Sequence, residues 1–237
     1  VQVSDGNGGT DTQAIAVTVT DANEAPTDIA PGTLAVDENT DTTGGFSLGA
    51  LTTTDPDTGE TFTYAILPGA DGALFSIGGP ASNELILTDG VLNHETKPSY
   101  TVTVRTTDSG GNTYDETVTV TVTDLNEAPG FTSTALTAAT EDSLYSYAIT
   151  TTDPDTGAVL TITAPTLPGW LTLVDNGNGT ATLSGTPTNA DVGGHAVVLQ
   201  VEDQGTLVDT QTFTVTVTNT NDAPVITSDG GAATAAV

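Results

Sequence analysis

The sequence predicts an all-β protein made of tandem seven-stranded Greek-key β-sandwiches. Three observations carry the prediction. Runs of alternating β-branched and polar residues recur at short intervals, separated by clusters of Gly, Pro, Asn and Asp, which is the pattern of a sandwich. No stretch has convincing helical periodicity. The chain also repeats itself: Thr-Thr-Thr-Asp-Pro-Asp-Thr-Gly occupies residues 52–59 and, unchanged, 150–157.

Taken in order, residues 1–25 read as the last hairpin of a preceding repeat. The turn residues Asp5-Gly6-Asn7-Gly8-Gly9 lead into Gln13–Thr20, whose alternation predicts a strand. Residues 26–128 form one full repeat, with strands expected over Phe62–Leu67, Glu84–Leu87, Tyr100–Val104 and Thr117–Val122. Residues 129–223 form a second, ending in the strand Thr212–Val217. Residues 224–237 are the start of a following repeat or a frayed tail. The linker Asp21-Ala22-Asn23-Glu24-Ala25-Pro26 recurs as Asp124-Leu125-Asn126-Glu127-Ala128-Pro129 and as Asn219-Thr220-Asn221-Asp222-Ala223-Pro224. A lone Asp precedes each by 16 residues: Asp5, Asp108 and Asp203. This spacing describes one hairpin, with an acid at its start and the linker at its end.

Composition narrows the function. Of 237 residues, 31 are acidic and 2 basic, giving a formal charge of −29. That balance excludes nucleic acid and anionic membrane surfaces as partners, since both require basic patches. Self-repulsion on this scale destabilises a compact state unless something neutralises it, and calcium and high ionic strength are the obvious candidates. Disorder is a poor account, because charged residues are only 14% of the chain and β-branched residues alternate in long runs. The chain has no Cys, so metal ions rather than disulfides are the expected staples. It has no Met, no signal peptide and no apolar run near 18 residues, so membrane insertion is not expected. It reads as a segment of something longer whose targeting signals lie elsewhere.

Calcium takes six to eight oxygen ligands, and a linker of Asp, Asn, Glu and backbone carbonyls supplies part of such a set. Distal acids must complete it. Asp153-Pro154-Asp155 is suited, because two carboxylates at period two on a turn can face one ion. Asp203 opens the last hairpin of the same repeat. Glu38 and Glu95 are the candidates from the preceding repeat.

These residues resemble the cadherin repeat. Its linker, D-x-N-D-N-x-P, is matched by residues 124–129, with Glu127 for the second Asp and Ala128 for the second Asn. Its D-x-D is matched by Asp55/Asp57 and Asp153/Asp155, its early glutamate by Glu38 and Glu141, and its late Asp by Asp108 and Asp203. Its L-D-R-E is matched by Leu92-Asn93-His94-Glu95, with Asn93 in place of the Asp. Residues 129–223 lack L-D-R-E but carry Leu167-Pro168-Gly169-Trp170-Leu171 and Ser184-Gly185-Thr186-Pro187. These resemble the dystroglycan-type cadherin-like variant of large bacterial surface proteins.

The resemblance implies immunoglobulin-like, cadherin-type sandwiches end to end with calcium at the joints. At the second joint it implies up to three ions among Glu38, Glu95, Asp124, Asn126, Glu127, Asp153, Asp155 and Asp203, with backbone oxygens of Leu125 and Ala128. At the first joint Asp21, Asn23, Glu24, Asp55, Asp57 and Asp108 would hold one or two. The C-terminal joint, with Glu141, Asn221 and Asp222, is expected to be empty or weak. The implied function is a calcium-rigidified spacer in a secreted, cell-surface bacterial adhesin, monomeric in solution. The alternative is a module in which one repeat binds a glycan or another surface repeat directly.

The remaining residues favour structural roles. Each acidic pair taken alone reads as a solvated turn former. Trp170 is expected at the core edge, with a sugar platform as the alternative. Asp175–Gly179 is expected to be a hairpin turn, since it lacks the later Glu of a calcium loop. His94 and His195 lie in different repeats, poor material for zinc or a nucleophile–histidine pair. The acids group at joints rather than in one pocket, so no enzymatic activity is expected.

Overall fold

The computed structural model describes residues 1–69 and 71–223, so the expectation for 224–237 lies outside the described residues. The chain divides into two compact units, Val1–Asp124 and Leu125–Val237. Both are tandem-sandwich domains of β-strands, with two single 3-10 turns, Gly72–Leu74 and Asn189–Asp191, as helical structure among the described residues.

The first unit opens with a hairpin of β1 (Gln2–Ser4) and β2 (Thr10–Thr12), exposed throughout. Its sandwich comprises β3 (Asp28–Ala30), β4 (Thr33–Asp37), β5 (Phe46–Ala50), β6 (Thr52–Thr54), β7 (Thr63–Ile66), β8 (Phe75–Gly78), β9 (Glu84–Leu87), β10 (Ser99–Thr107) and β11 (Thr113–Thr123). One sheet has the order β4-β11-β10-β7, with β4 parallel to β11. The other strands pair as β3-β6 and β5-β9-β8. Because β5 and β6 are separated only by Leu51, and β3 and β4 are one run switching sheets, these nine pieces make seven strands.

The second unit repeats this plan with β12 (Gly130–Phe131), β13 (Ala138–Thr140), β14 (Tyr145–Thr152), β15 (Thr161–Thr166), β16 (Thr172–Asp175), β17 (Thr180–Gly185), β18 (Gly193–Glu202) and β19 (Val208–Thr218). Its sheets run β12-β14-β17-β16 and β13-β19-β18-β15, again with a parallel pair at β13-β19. The first strand is again split between the sheets.

Alternation sets which side chains form the cores. Tyr100, Val102 and Val104 of β10 lie opposite Val120, Val118 and Glu116 of β11, and the apolar members are buried against Leu85 and Leu87. In the second unit Val197, Leu199, Val201, Val215 and Val217 occupy the same face of β18 and β19. Trp170 packs on this core, edge-to-face against Tyr145 at 5.8 Å and His195 at 5.9 Å, in the core-edge position rather than as a free platform. Residues 176–179 form the β16–β17 hairpin turn, with Asp175 Oδ1 accepting from the Gly177 amide.

One expected strand is absent. Gln13–Thr20 alternates in sequence, but beyond the Gln13 amide bonded to the Val1 carbonyl it joins no ladder. Ile15, Val17 and Val19 stay 62%, 81% and 89% exposed. Alternation marks a strand only where an edge and an apolar layer receive it, and neither is present here among the described residues.

The Ser-Gly-Thr-Pro sequence has a packing cause. A Cβ at Gly185 would stand 1.9 Å from the Trp170 carbonyl oxygen, a backbone atom that cannot turn aside. Gly185→Ala should therefore destabilise the second unit by about 3 kcal/mol. Trp170, the only Trp, reports this unit selectively in urea unfolding followed by fluorescence. Gly130→Ala, which meets nothing within 4 Å, is the control and should leave the midpoint in place.

Candidate metal centres

Each unit carries the same carboxylate frame, assembled from its linker, the turn after its second strand and the turn of its last hairpin. In the first unit Asp55 Oδ1 accepts the Asp57 amide at 2.9 Å, and Asp57 Oδ2 accepts the Glu24 amide at 2.8 Å. In the second, Asp153 Oδ1 accepts the Asp155 amide at 2.9 Å, and Asp155 Oδ2 accepts the Glu127 amide at 2.8 Å. Asn23 Nδ2 donates to Asp108 Oδ2 at 2.9 Å, and Asn126 Nδ2 to Asp203 Oδ2 at 2.7 Å. Asp108 Oδ1 and Asp203 Oδ1 then each accept the amide four residues on, both at 2.8 Å. Gly110 and Gly205 fit closely under the two Asn side chains: an added Cβ would stand 2.5 Å from Asn23 and 2.6 Å from Asn126.

Backbone amides thus hold one oxygen each of Asp55, Asp57, Asp153 and Asp155, while Asp108 and Asp203 have both oxygens held by an Asn and an amide. Asp55 Oδ2 and Asp153 Oδ2 are both buried and have no hydrogen-bond partner. A buried carboxylate oxygen without a donor is costly unless a cation faces it. The same atom is orphaned at the same position in both units, and its neighbours are oxygen donors. Hard cations that take six to eight oxygens, calcium above all, fit this donor set.

The electrostatics agree. Burial raises the Asp153 pKa, and the charges of Asp155 and Asp203 push it further, against a bond from the Asp155 amide. Glu24 is raised by the charge of Asp57 first, then by its hydrogen bond with Asp57, by burial, and by Asp21 and Asp55. Asp108 is pushed up by burial, but Asn23 and the amides of residues 110–112 outweigh this and hold it below the usual range. The two basic side chains are engaged elsewhere: Lys97 Nζ lies 2.5 Å from Asp71, and Arg105 makes bonds of 2.6 and 2.7 Å to Asp115.

The opposite end of each sandwich carries a buried glutamate. Glu38 is 2% and Glu141 1% exposed. Both follow a parallel strand, their amides continuing the ladder to Thr123 and Thr218 at 3.1 Å. The next residues, Asn39 and Asp142, turn the chain at φ 63° and 57°. Glu38 Oε2 accepts the His94 amide at 2.9 Å. Glu141 Oε1 accepts the Thr220 amide and hydroxyl, while its Oε2 is buried without a partner.

Of the residues singled out by sequence, Asp21, Glu24 and Asp57 bring ligand atoms within 4.8 Å of one another, with Asn23, Asp55 and Asp108 joined through the bonds above. In the second unit Asn126, Glu127, Asp153, Asp155 and Asp203 form the corresponding frame. Glu38, Glu95 and Asp124 belong to the first unit. Leu125 and Ala128 lie exposed on the linker. The linker is one residue shorter than the seven-residue pattern it resembles, since Pro129 directly follows Ala128. His94, weighed in the sequence as poor material for zinc, shares its surroundings with Glu95 and Asp124.

Comparison with known proteins bears on the fold. The family model described as "Cadherin domain" matches residues 33–123. The model described as "Putative Ig domain" matches residues 128–218. Among solved structures, PcdhgB3 EC1-4 is similar with a TM-score of 0.65 and 22% identity over 86% of this chain and 52% of that one. Protocadherin Gamma B2 extracellular cadherin domains 3-6 give 0.63 and 22%, over 84% and 49%. Human Protocadherin-24 EC1-2 gives 0.61 and 19%, over 85% and 100%. The chain thus spans about half the length of the first two, and at these identities the likeness is one of fold.

The raised Asp153 carries a prediction for the metal-free protein. Its folded pKa lies above the unfolded value, so the stabilising form is the protonated one. That contribution is present below the unfolded value and lost as pH rises through the folded one. Asp153→Asn mimics the protonated form and keeps the acceptor for the Asp155 amide. In chelator at neutral pH its urea midpoint should exceed that of the wild type, with the order reversing in millimolar calcium.

Proposed function

We propose that the chain is a calcium-binding, calcium-rigidified segment of an extracellular adhesin, acting as a spacer and in cell adhesion, with repeats at 26–128 and 129–223 following a hairpin at 1–25. The observation that carries this reading is the twice-built carboxylate frame, each copy with a buried, donorless oxygen at Asp55 or Asp153. Residues that serve only as turn formers have no reason to leave the same atom orphaned twice.

Glu38, Glu95 and Asp124 of the first unit, with Asn126, Glu127, Asp153, Asp155 and Asp203 of the second, are the ligands proposed for the linker at 124–129. Leu125 and Ala128 would add backbone oxygens. Asp21, Asn23, Glu24, Asp55, Asp57 and Asp108 are proposed for the linker at 21–26. Bound calcium supplies positive charge to side chains that otherwise repel, and ligands drawn from both units fix the linker between them. The composition supports a secreted, cell-surface setting of bacterial type, with other surface repeats as partners. Among the described residues no helix is long and apolar enough to cross a membrane.

Calorimetric titration tests the reading. Millimolar calcium should bind and raise stability by about 2.7 kcal/mol at one hundred times Kd. Asp155→Ala should lower affinity at least about tenfold, as loss of a ligand does. Absence of binding heat and of stabilisation in calcium, relative to magnesium, would contradict it.

A further inference from the structure

Calcium accepts oxygen, yet one trio of donors in the first unit includes nitrogen. His94, Glu95 and Asp124 bring ligand atoms within 4.8 Å of one another. His94 Nδ1 lies 3.4 Å from Glu95 Oε1 and 3.6 Å from Asp124 Oδ2. The first is a long hydrogen bond, and both are within ion-pair range if the ring is protonated. Both are close to the separation of about 3.3–3.5 Å between ligand atoms around a tetrahedral ion with bonds of 2.0–2.1 Å. A second oxygen of Glu95, Oε2, is buried with no hydrogen-bond partner.

The backbone holds the trio in place. The His94 amide is anchored on Glu38 Oε2 at 2.9 Å. Asn93 stiffens the turn, its Oδ1 accepting the Thr96 amide at 2.7 Å and its carbonyl the Lys97 amide at 3.0 Å. The imidazole is 31% and the Asp124 side chain 56% exposed, so an ion and its waters have access.

We propose that His94 Nδ1, Glu95 and Asp124 form a site for a late first-row divalent ion of the zinc class, with water completing the coordination. Imidazole with two carboxylates suits zinc, nickel or copper, whereas calcium gains nothing from the nitrogen. Under this proposal one imidazole suffices where two carboxylates converge on it, so a second histidine in the same repeat is not required. Glu95 and Asp124 are also proposed calcium ligands, so the two ions compete at this end of the first unit. The zinc site does not need the calcium reading to be right.

The chain has only two histidines, which makes the test direct. Long-range proton–nitrogen spectra of the imidazoles are recorded in calcium-free buffer while zinc chloride is added. Zinc should move the His94 Nδ1 resonance to saturation at one equivalent and leave His195 in place. His94→Gln should weaken the tightest zinc binding at least about tenfold by calorimetry, and His195→Gln should not. If zinc leaves the His94 ring unmoved in the wild-type protein, or His94→Gln binds zinc as the wild type does, the proposal is overturned. The calcium reading fails separately, by loss of calcium heat, with the His94 response intact.

Discussion

A chain with 31 acidic and two basic side chains cannot neutralise itself, and this one places its acids where the shortage is most acute. Lys97 is bound to Asp71 and Arg105 to Asp115, so neither cation is paired with a carboxylate of the frames. The frames are assembled instead with hydrogen-bond donors from the backbone and from Asn23 and Asn126. Those donors position the carboxylates without cancelling their charge. The resulting unpaired oxygens, Asp55 Oδ2 and Asp153 Oδ2, form a constraint that the cation proposed above would meet.

The sandwich holds these carboxylates in place. In both units the linker proline is buried, at Pro26 and Pro129, and starts the chain into its first strand. The split first strand then carries a glutamate to the opposite end, at Glu38 or Glu141. The last hairpin returns an Asp to the starting end, Asp108 or Asp203. Each sandwich therefore presents acids at both ends from strands locked into two sheets by continuous valine-rich cores. A regular fold with acidic ends is suited to being strung in series, which is the role proposed for it.

Much of this was legible in the sequence, for a physical reason. Alternation at period two reports burial on one face, and β9, β10, β11 and β19 appear where the alternating runs stand. The acidic motifs were legible because they recur at fixed spacing. What escaped is what depends on a partner distant in sequence. Gln13–Thr20 alternates like β11 but has no sheet to join. The Asn23–Asp108 bond spans 85 residues, and the Gly185 approach to Trp170 is a matter of backbone clearance, neither of which leaves a periodic trace. His94 was set aside for lacking a second histidine, whereas its neighbours are carboxylates brought together by the turn at 92–97 and the end of β11.

The central claim is that cations, not apolar contacts, fix the linker at 124–129. Small-angle X-ray scattering of the whole chain in calcium and in chelator tests it most directly. The account predicts a distribution of maximum dimensions that is narrow in calcium, broad in chelator and narrow again when calcium is restored. A distribution equally narrow in both conditions would contradict it.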